Sequence, residues 1–135
     1  MLFPCLANIF LQIIFSWGKN VNVKIPITNT KGKSTVELIG RLSGKGVICN
    51  VTAIFTIEQI EPYLLNLKKE HDIIFSVFAG RIADTGINPM PLMKNIKKTI
   101  SNYSRAKLLW ASPREVLNIF QAEESMCDII TVPAN

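Results

Sequence analysis

A chain of 135 residues falls within the roughly 100–200 residues of a single domain, which excludes a multidomain machine. Hydrophobic residues make up 48% and charged residues 19%, with a mean hydropathy of +0.26, too apolar for a disordered chain. The net charge of +5 is dispersed, since Lys19, Lys24, Lys33, Lys45, Lys69, Arg81, Lys97 and Arg114 span the chain and only Lys94, Lys97 and Lys98 share an expected helix face; no nucleic-acid partner is expected, and small phosphorylated substrates fit better.

The chain opens with an uncharged stretch from Met1 to Trp17, rich in Leu, Ile and Phe. A membrane span needs about 20 apolar residues, whereas Asn8 and Gln12 interrupt this one, and no basic region precedes it as in a signal peptide. The expectation is a buried or displaced barrel-type helix, not a membrane anchor. Residues 1–19 then form an apolar leader set apart from a domain at 20–135, and its lack of a polar face leaves open that it is not native to that domain.

From Asn20 onward one unit repeats. Val21, Val23, Ile25 and Ile27 alternate with Asn22, Lys24 and Pro26, the period of a strand. Ser34 and Glu37 have capping-box spacing before a helix through Leu42, which Gly44 and Gly46 end. Val47 to Phe55 reads as a second strand, with Thr56 and Gln59 repeating the box before a helix through Leu67. Ile73 to Phe78 is the third strand. A longer loop, Ala79 to Ile87, leads to Asn88 and Pro89 as helix-start signals, with Leu92, Met93, Ile96, Ile100 and Tyr103 on the buried side. Lys107 to Ala111 is the fourth strand, Ser112 and Glu115 make a third box, and Asp128 to Val132 is the fifth strand.

Cys5, Cys49 and Cys127 contain no C-x-x-C pair and are odd in number, so neither a zinc site nor a disulfide framework is expected, and a reducing cytoplasm is the natural setting. His71 follows Lys68, Lys69 and Glu70 at a helix end, where a solvated or dipole-pairing role outweighs catalysis.

Five strands alternating with four helices predict an α/β fold with a parallel sheet and right-handed crossovers. Polar residues on alternate strand positions (Lys24; Asn50 and Thr52; Ser76) and the lack of a Gly-x-Gly-x-x-Gly fingerprint favour a barrel over a doubly wound sheet, which would bury both strand faces under helices. A complete (β/α)8 TIM barrel takes about 250 residues. The chain therefore corresponds to a partial barrel.

Five short motifs carry a family resemblance: Val-Lys-Ile-Pro at 23–26, Asn50-Val-Thr52, Ser76-Val-Phe78-Ala-Gly80-Arg81-Ile at 76–82, Ala111-Ser112-Pro-Arg114, and Asp128-Ile-Ile-Thr-Val-Pro at 128–133. In this order and spacing, the stretch from about Ser16 to Asn135 resembles the later part of the transaldolase family, which includes transaldolases and fructose-6-phosphate aldolases. The resemblance implies that these are the fourth to eighth strands of an α/β barrel. It also implies transfer of a dihydroxyacetone unit between sugar phosphates, with no metal or organic cofactor.

Lys24 alternates against Val23 and Ile25 and so points inward; enclosure at a barrel mouth disfavours an ammonium ion and frees the amine to attack a ketose carbonyl. The resulting Schiff base is an electron sink for cleaving the adjacent carbon–carbon bond. Asn50 and Thr52 lie two apart and face the same way. The resemblance implies that Thr52 helps hold the catalytic water and that Asn50 sits beside the Schiff-base lysine; polar filling of a barrel layer is the plainer alternative. Ser76 and Phe78 share another inward face. Arg81 follows at the strand end, where a guanidinium grips phosphate with paired hydrogen bonds, and Ser112, read as a helix N-cap beside Arg114, adds backbone donors for an anion. Phe78 stands where the fructose-6-phosphate aldolases resemble one another in having a tyrosine, which favours transfer over simple cleavage.

Transaldolases resemble one another in carrying an aspartate on the first strand and a glutamate on the third; the chain matches neither strand and lacks the helix expected over the eighth. It is read as a truncated copy whose edges, at Asn20–Ile27 and Asp128–Val132, are unpaired in a monomer. A homo-oligomer, a complementing chain and a non-catalytic remnant that binds phosphate all stay open.

Overall fold

The computed structural model describes residues 13, 14, 16–18 and 20–132; most of the apolar leader lies outside them. After a helical turn at Ile13 and Ile14 come β1 (Val23–Pro26), α1 (Val36–Ser43), β2 (Cys49–Ile54), α2 (Glu61–Asn66), β3 (Ile73–Val77), α3 (Ala79–Ala83), α4 (Met90–Ile100), β4 (Ala106–Trp110), α5 (Leu117–Glu124) and β5 (Ile129–Ile130). The five strands form one sheet in the order β1-β2-β3-β4-β5, every pair parallel. This is the partial (β/α)8 architecture expected from the sequence. Among the described residues, no helix is long and apolar enough to cross a membrane.

Strand alternation sorts the side chains by face. Val23, Ile25, Cys49, Val51, Ile73, Phe75, Val77, Leu108 and Trp110 are buried in the main core with Ile39 and Leu42 of α1, Tyr63 of α2, and Met93, Ile96 and Ile100 of α4. A second, smaller cluster of Ile74, Leu109 and Ala111, with Phe78 and Ile129 against it, covers part of the opposite face. Lys24, opposite Asn50 on β2, belongs to that opposite face, flanked by buried Val23 and Ile25 as the period-two pattern requires.

Three local features differ from the sequence reading. The segment after β3 is no plain loop: Ala79–Ala83 form the short helix α3, ended where Gly86 turns to φ +82°. The second is a bulge in β2. Val51 pairs with Phe75 and Ile54 with Val77, so three steps on β2 match two on β3, and Ala53 absorbs the surplus at φ +61°. The bulge leaves Thr52 on the open face yet returns Ile54 to the helix side. Third, the capping boxes are partial or missing. Ser34 Oγ accepts from Val36 N at 3.2 Å, and Gln59 Oε1 accepts from Phe55 N and Thr56 N at 2.7 and 3.1 Å. Helix α2 starts only at Glu61, because Gln59 caps the turn before the helix instead of its first turn.

Two of the three lysines of α4 are committed to ion pairs. Lys94 Nζ meets Glu124 at 2.7 Å and Lys97 Nζ meets Asp128 at 2.6 Å. Asp128 Oδ2 also accepts from the Leu108 backbone N–H at 2.7 Å, tying β5 to β4 and α4 together.

Cys49 and Cys127 are free thiols. Burial pushes Cys49 up to about 11 from its ordinary 9.0, and burial aided by the neighbouring Asp128 carboxylate pushes Cys127 up to about 12. The folded chain therefore holds protons that the unfolded chain releases once pH exceeds about 9, so stability is full below that value and falls as pH rises towards 11. Urea melts across this range should show the decline, and the Cys49→Ala/Cys127→Ala double variant should lose that part of the slope.

Candidate active site

The carboxyl ends of β1, β3, β4 and β5 converge on a pocket of about 430 Å³ lined by Lys24, Phe78, Arg81, Ala111, Ser112, Pro113, Arg114, Thr131 and Val132. In a parallel α/β barrel this rim is where ligands bind. Five of the eight candidate residues therefore share one cavity: Lys24, Phe78, Arg81, Ser112 and Arg114. The other three, Asn50, Thr52 and Ser76, do not line it; they belong to the neighbouring strands β2 and β3, with Asn50 opposite Lys24 and Ser76 facing the β2 bulge.

These three have a common property. Asn50 Oδ1, Thr52 Oγ1 and Ser76 Oγ are all buried without a hydrogen-bond partner among the described residues, although Thr52 and Ser76 are 6% and 1% exposed. Buried polar atoms are satisfied in the great majority of cases. His71 Nδ1, Trp110 Nε1 and Ser125 Oγ are likewise unpartnered, and all such groups are free to bond to ordered water or a ligand.

Phe78 closes β3 and starts α3. Its ring meets Phe55 edge to face at 5.6 Å between centroids, and the Arg81 guanidinium lies 4.7 Å above its centroid, a cation–π contact that orients the charge over the pocket. Arg81 sits on α3 rather than at a free strand end.

Ser112 departs from its expected role. It is not a helix N-cap, because α5 begins at Leu117 without a side-chain cap; Asn118 Oδ1 instead accepts from Arg114 N and Glu115 N at 2.7 and 3.2 Å. Ser112 takes φ +59°, uncommon outside glycine. Gly80 explains why it is held there: its N–H donates to Ala111 O at 3.2 Å, and a Cβ on Gly80 would fall 1.5 Å from the Ser112 carbonyl oxygen. The α3 helix is thus seated directly on the β4 turn.

Arg114 is paired, not free. Its Nε lies 3.0 Å from Asp84 Oδ1 and its Nη2 2.6 Å from Asp84 Oδ2, and the guanidinium holds the Asp84 carboxyl below its usual range. Lys24 is exposed, so the enclosure expected of a barrel mouth is absent among the described residues. Among the described residues the pocket lining contains five cationic or hydroxyl side chains (Lys24, Arg81, Ser112, Arg114, Thr131) but no carboxylate.

Sequence reasoning missed Asp84 and Phe55 and gave Gly80 no role beyond its place in the motif at 76–82. No local signal marks Asp84, because its partner is Arg114, thirty residues on.

A family model described as transaldolase/fructose-6-phosphate aldolase matches residues 11–135. The chain belongs to this family. The match takes in the second half of the apolar leader, where Ile14 already packs against the main core. Among curated relatives, the probable transaldolase 2 of Listeria monocytogenes is 34% identical over 125 residues, covering 92% of this chain and 54% of the relative. The probable transaldolase of Lactiplantibacillus plantarum is 34% identical over 119 residues, covering 87% and 51%, and that of Caldicellulosiruptor saccharolyticus 36% over 117 residues, covering 85% and 50%. The chain spans about half the length of these curated relatives. Membership in the transaldolase family accounts for the parallel α/β sheet.

Proposed function

We propose that this chain carries the nucleophile and the phosphate grip of a transaldolase-type site, which acts on sugar phosphates in carbohydrate metabolism of the pentose phosphate kind, in the cytoplasm and without cofactor. The observation that carries this reading is the single cavity shared by Lys24, Arg81, Ser112 and Arg114. In this reading the Lys24 amine adds to a ketose carbonyl and water leaves, forming an iminium. The hydroxyl beside the neighbouring carbon–carbon bond gives its proton to a water, the iminium accepts the electron pair of that bond, and an aldose phosphate leaves with a dihydroxyacetone enamine remaining on the lysine. The enamine carbon adds to an acceptor aldehyde, and water then returns the lysine. Asn50 borders the nucleophile, Thr52 and Ser76 offer their unpartnered oxygens to water or substrate hydroxyls, and Arg81 and Arg114 take the phosphate.

A second reading, phosphate binding without turnover, is favoured by the absence of any carboxylate from the lining. A third, cleavage of the fructose-6-phosphate aldolase kind, is disfavoured by Phe78, whose ring donates no proton. Incubation of the full chain with fructose 6-phosphate and borohydride separates the first two. A reduced adduct on the peptide containing Lys24 is the expected result; calorimetric binding with no adduct would leave only the phosphate-binding reading.

A further inference from the structure

We propose that Asp84 is a positioning residue for this pocket, holding the Arg114 guanidinium in place to receive a phosphate; the proposal rests on reading the pocket as a sugar-phosphate site. Asp84 is the C-cap of α3, and Arg114 follows the β4 turn. They meet because Gly80 lets α3 sit against Ser112. The pairing is side-on: Nε and Nη2 face the carboxylate at 3.0 and 2.6 Å. Nη1 then has no hydrogen-bond partner among the described residues and remains available to an anion. A planar guanidinium can bridge two oxyanions in this way, which a lysine ammonium cannot do with fixed orientation.

Asp84 also answers an electrostatic difficulty. Arg81 and Arg114 line one cavity together with Lys24, three positive charges that repel one another while the pocket is empty. Both arginines attract the Asp84 carboxylate and draw its proton affinity down. Among the described residues its ion pair is with Arg114 alone, so it offsets one of these charges directly and Arg81 only at longer range. Competition between Asp84 and substrate phosphate for Arg114 works in the opposite direction, but both partners are 49% exposed, so water screens the repulsion between carboxylate and phosphate. An unpaired Arg114 would instead have to freeze a long, mobile side chain on every binding event. Ordering dominates, and loss of Asp84 weakens phosphate binding.

The test is calorimetric titration of the full chain with fructose 6-phosphate and with fructose. The wild-type chain should bind the phosphate ester more tightly. Asp84→Asn should lose about tenfold on fructose 6-phosphate, the scale of re-ordering one long side chain, with fructose unchanged. Asp84→Glu should recover part of the loss, and in an Arg114→Gln background the Asp84→Asn effect should vanish. Thermal melts should barely move, because exposed ion pairs contribute little to stability. Unchanged or tighter binding by Asp84→Asn, or an equal loss for both ligands, overturns the assignment while a wild-type preference for the phosphate ester keeps the site reading. Equal wild-type affinity for the two ligands overturns both.

Discussion

Lys24→Ala is expected to abolish borohydride trapping of fructose 6-phosphate, because among the described residues no other lysine lines the pocket and only an amine forms the iminium. Steady-state transfer by the unmodified chain should nonetheless be undetectable. A missing general acid or base costs typically about 10² to 10⁴-fold, and the lining holds no carboxylate to serve as either. Supplying the part of the Listeria monocytogenes relative outside its match to this chain, fused or in trans, should restore transfer, and Lys24→Ala should remove it again. Equal turnover with and without that addition, or trapping that survives Lys24→Ala, would overturn the mechanism. Dominant cleavage over transfer in the restored protein would refute the inference drawn from Phe78.

Gly80→Ala should be the most damaging single methyl in the molecule. The added Cβ would sit 1.5 Å from the Ser112 carbonyl oxygen and 2.6 Å from its carbon. These are backbone atoms, so either α3 or the β4 turn must shift as a unit. Overpacking typically costs about 1–3 kcal/mol and sometimes more; with backbone on both sides, the upper end or beyond is expected. Arg81 and Asp84 ride on α3 and its cap, so sugar-phosphate affinity should fall as well. Gly40→Ala is the matched control. It lies within α1 with nothing inside 4 Å of the new Cβ, and exchanging a helical glycine for alanine should stabilise by about 1 kcal/mol. Urea melts of both variants check the contrast, and similar melting for the two would show that the α3 seat is not rigid.

The strand pattern was readable because burial imposes it locally. Lys24 between Val23 and Ile25 had one consistent placement, and Asn50 with Thr52 followed by the same rule. The bulge at Ala53 was not readable, since Val51 and Ile54 each keep a buried position only because β3 sets the register across from them. Helix α3 has five residues and a glycine at its second position, too little propensity to announce itself; its place comes from contact with a turn formed later in the chain. Ser112 looked like a cap by spacing, yet its left-handed backbone is dictated by the seating of Gly80. Likewise, the pairing of Arg114 with Asp84 depends on two elements meeting in space, which neither segment encodes alone.

The strand order has a kinetic consequence. Every strand pairs with its immediate predecessor in the chain, so no pairing waits for a distant segment and each new strand finds its template already laid down. Loop-closure entropy is then met in small instalments, and relative contact order stays low for a parallel sheet. Growth during synthesis can proceed strand by strand from β1, each crossover helix docking as it emerges. Under this order β3, the central strand with two strands on either side, joins the two halves of the sheet, and slow refolding should follow damage to Phe75 or Val77 far more than damage to Ile129 or Ile130 on the edge strand.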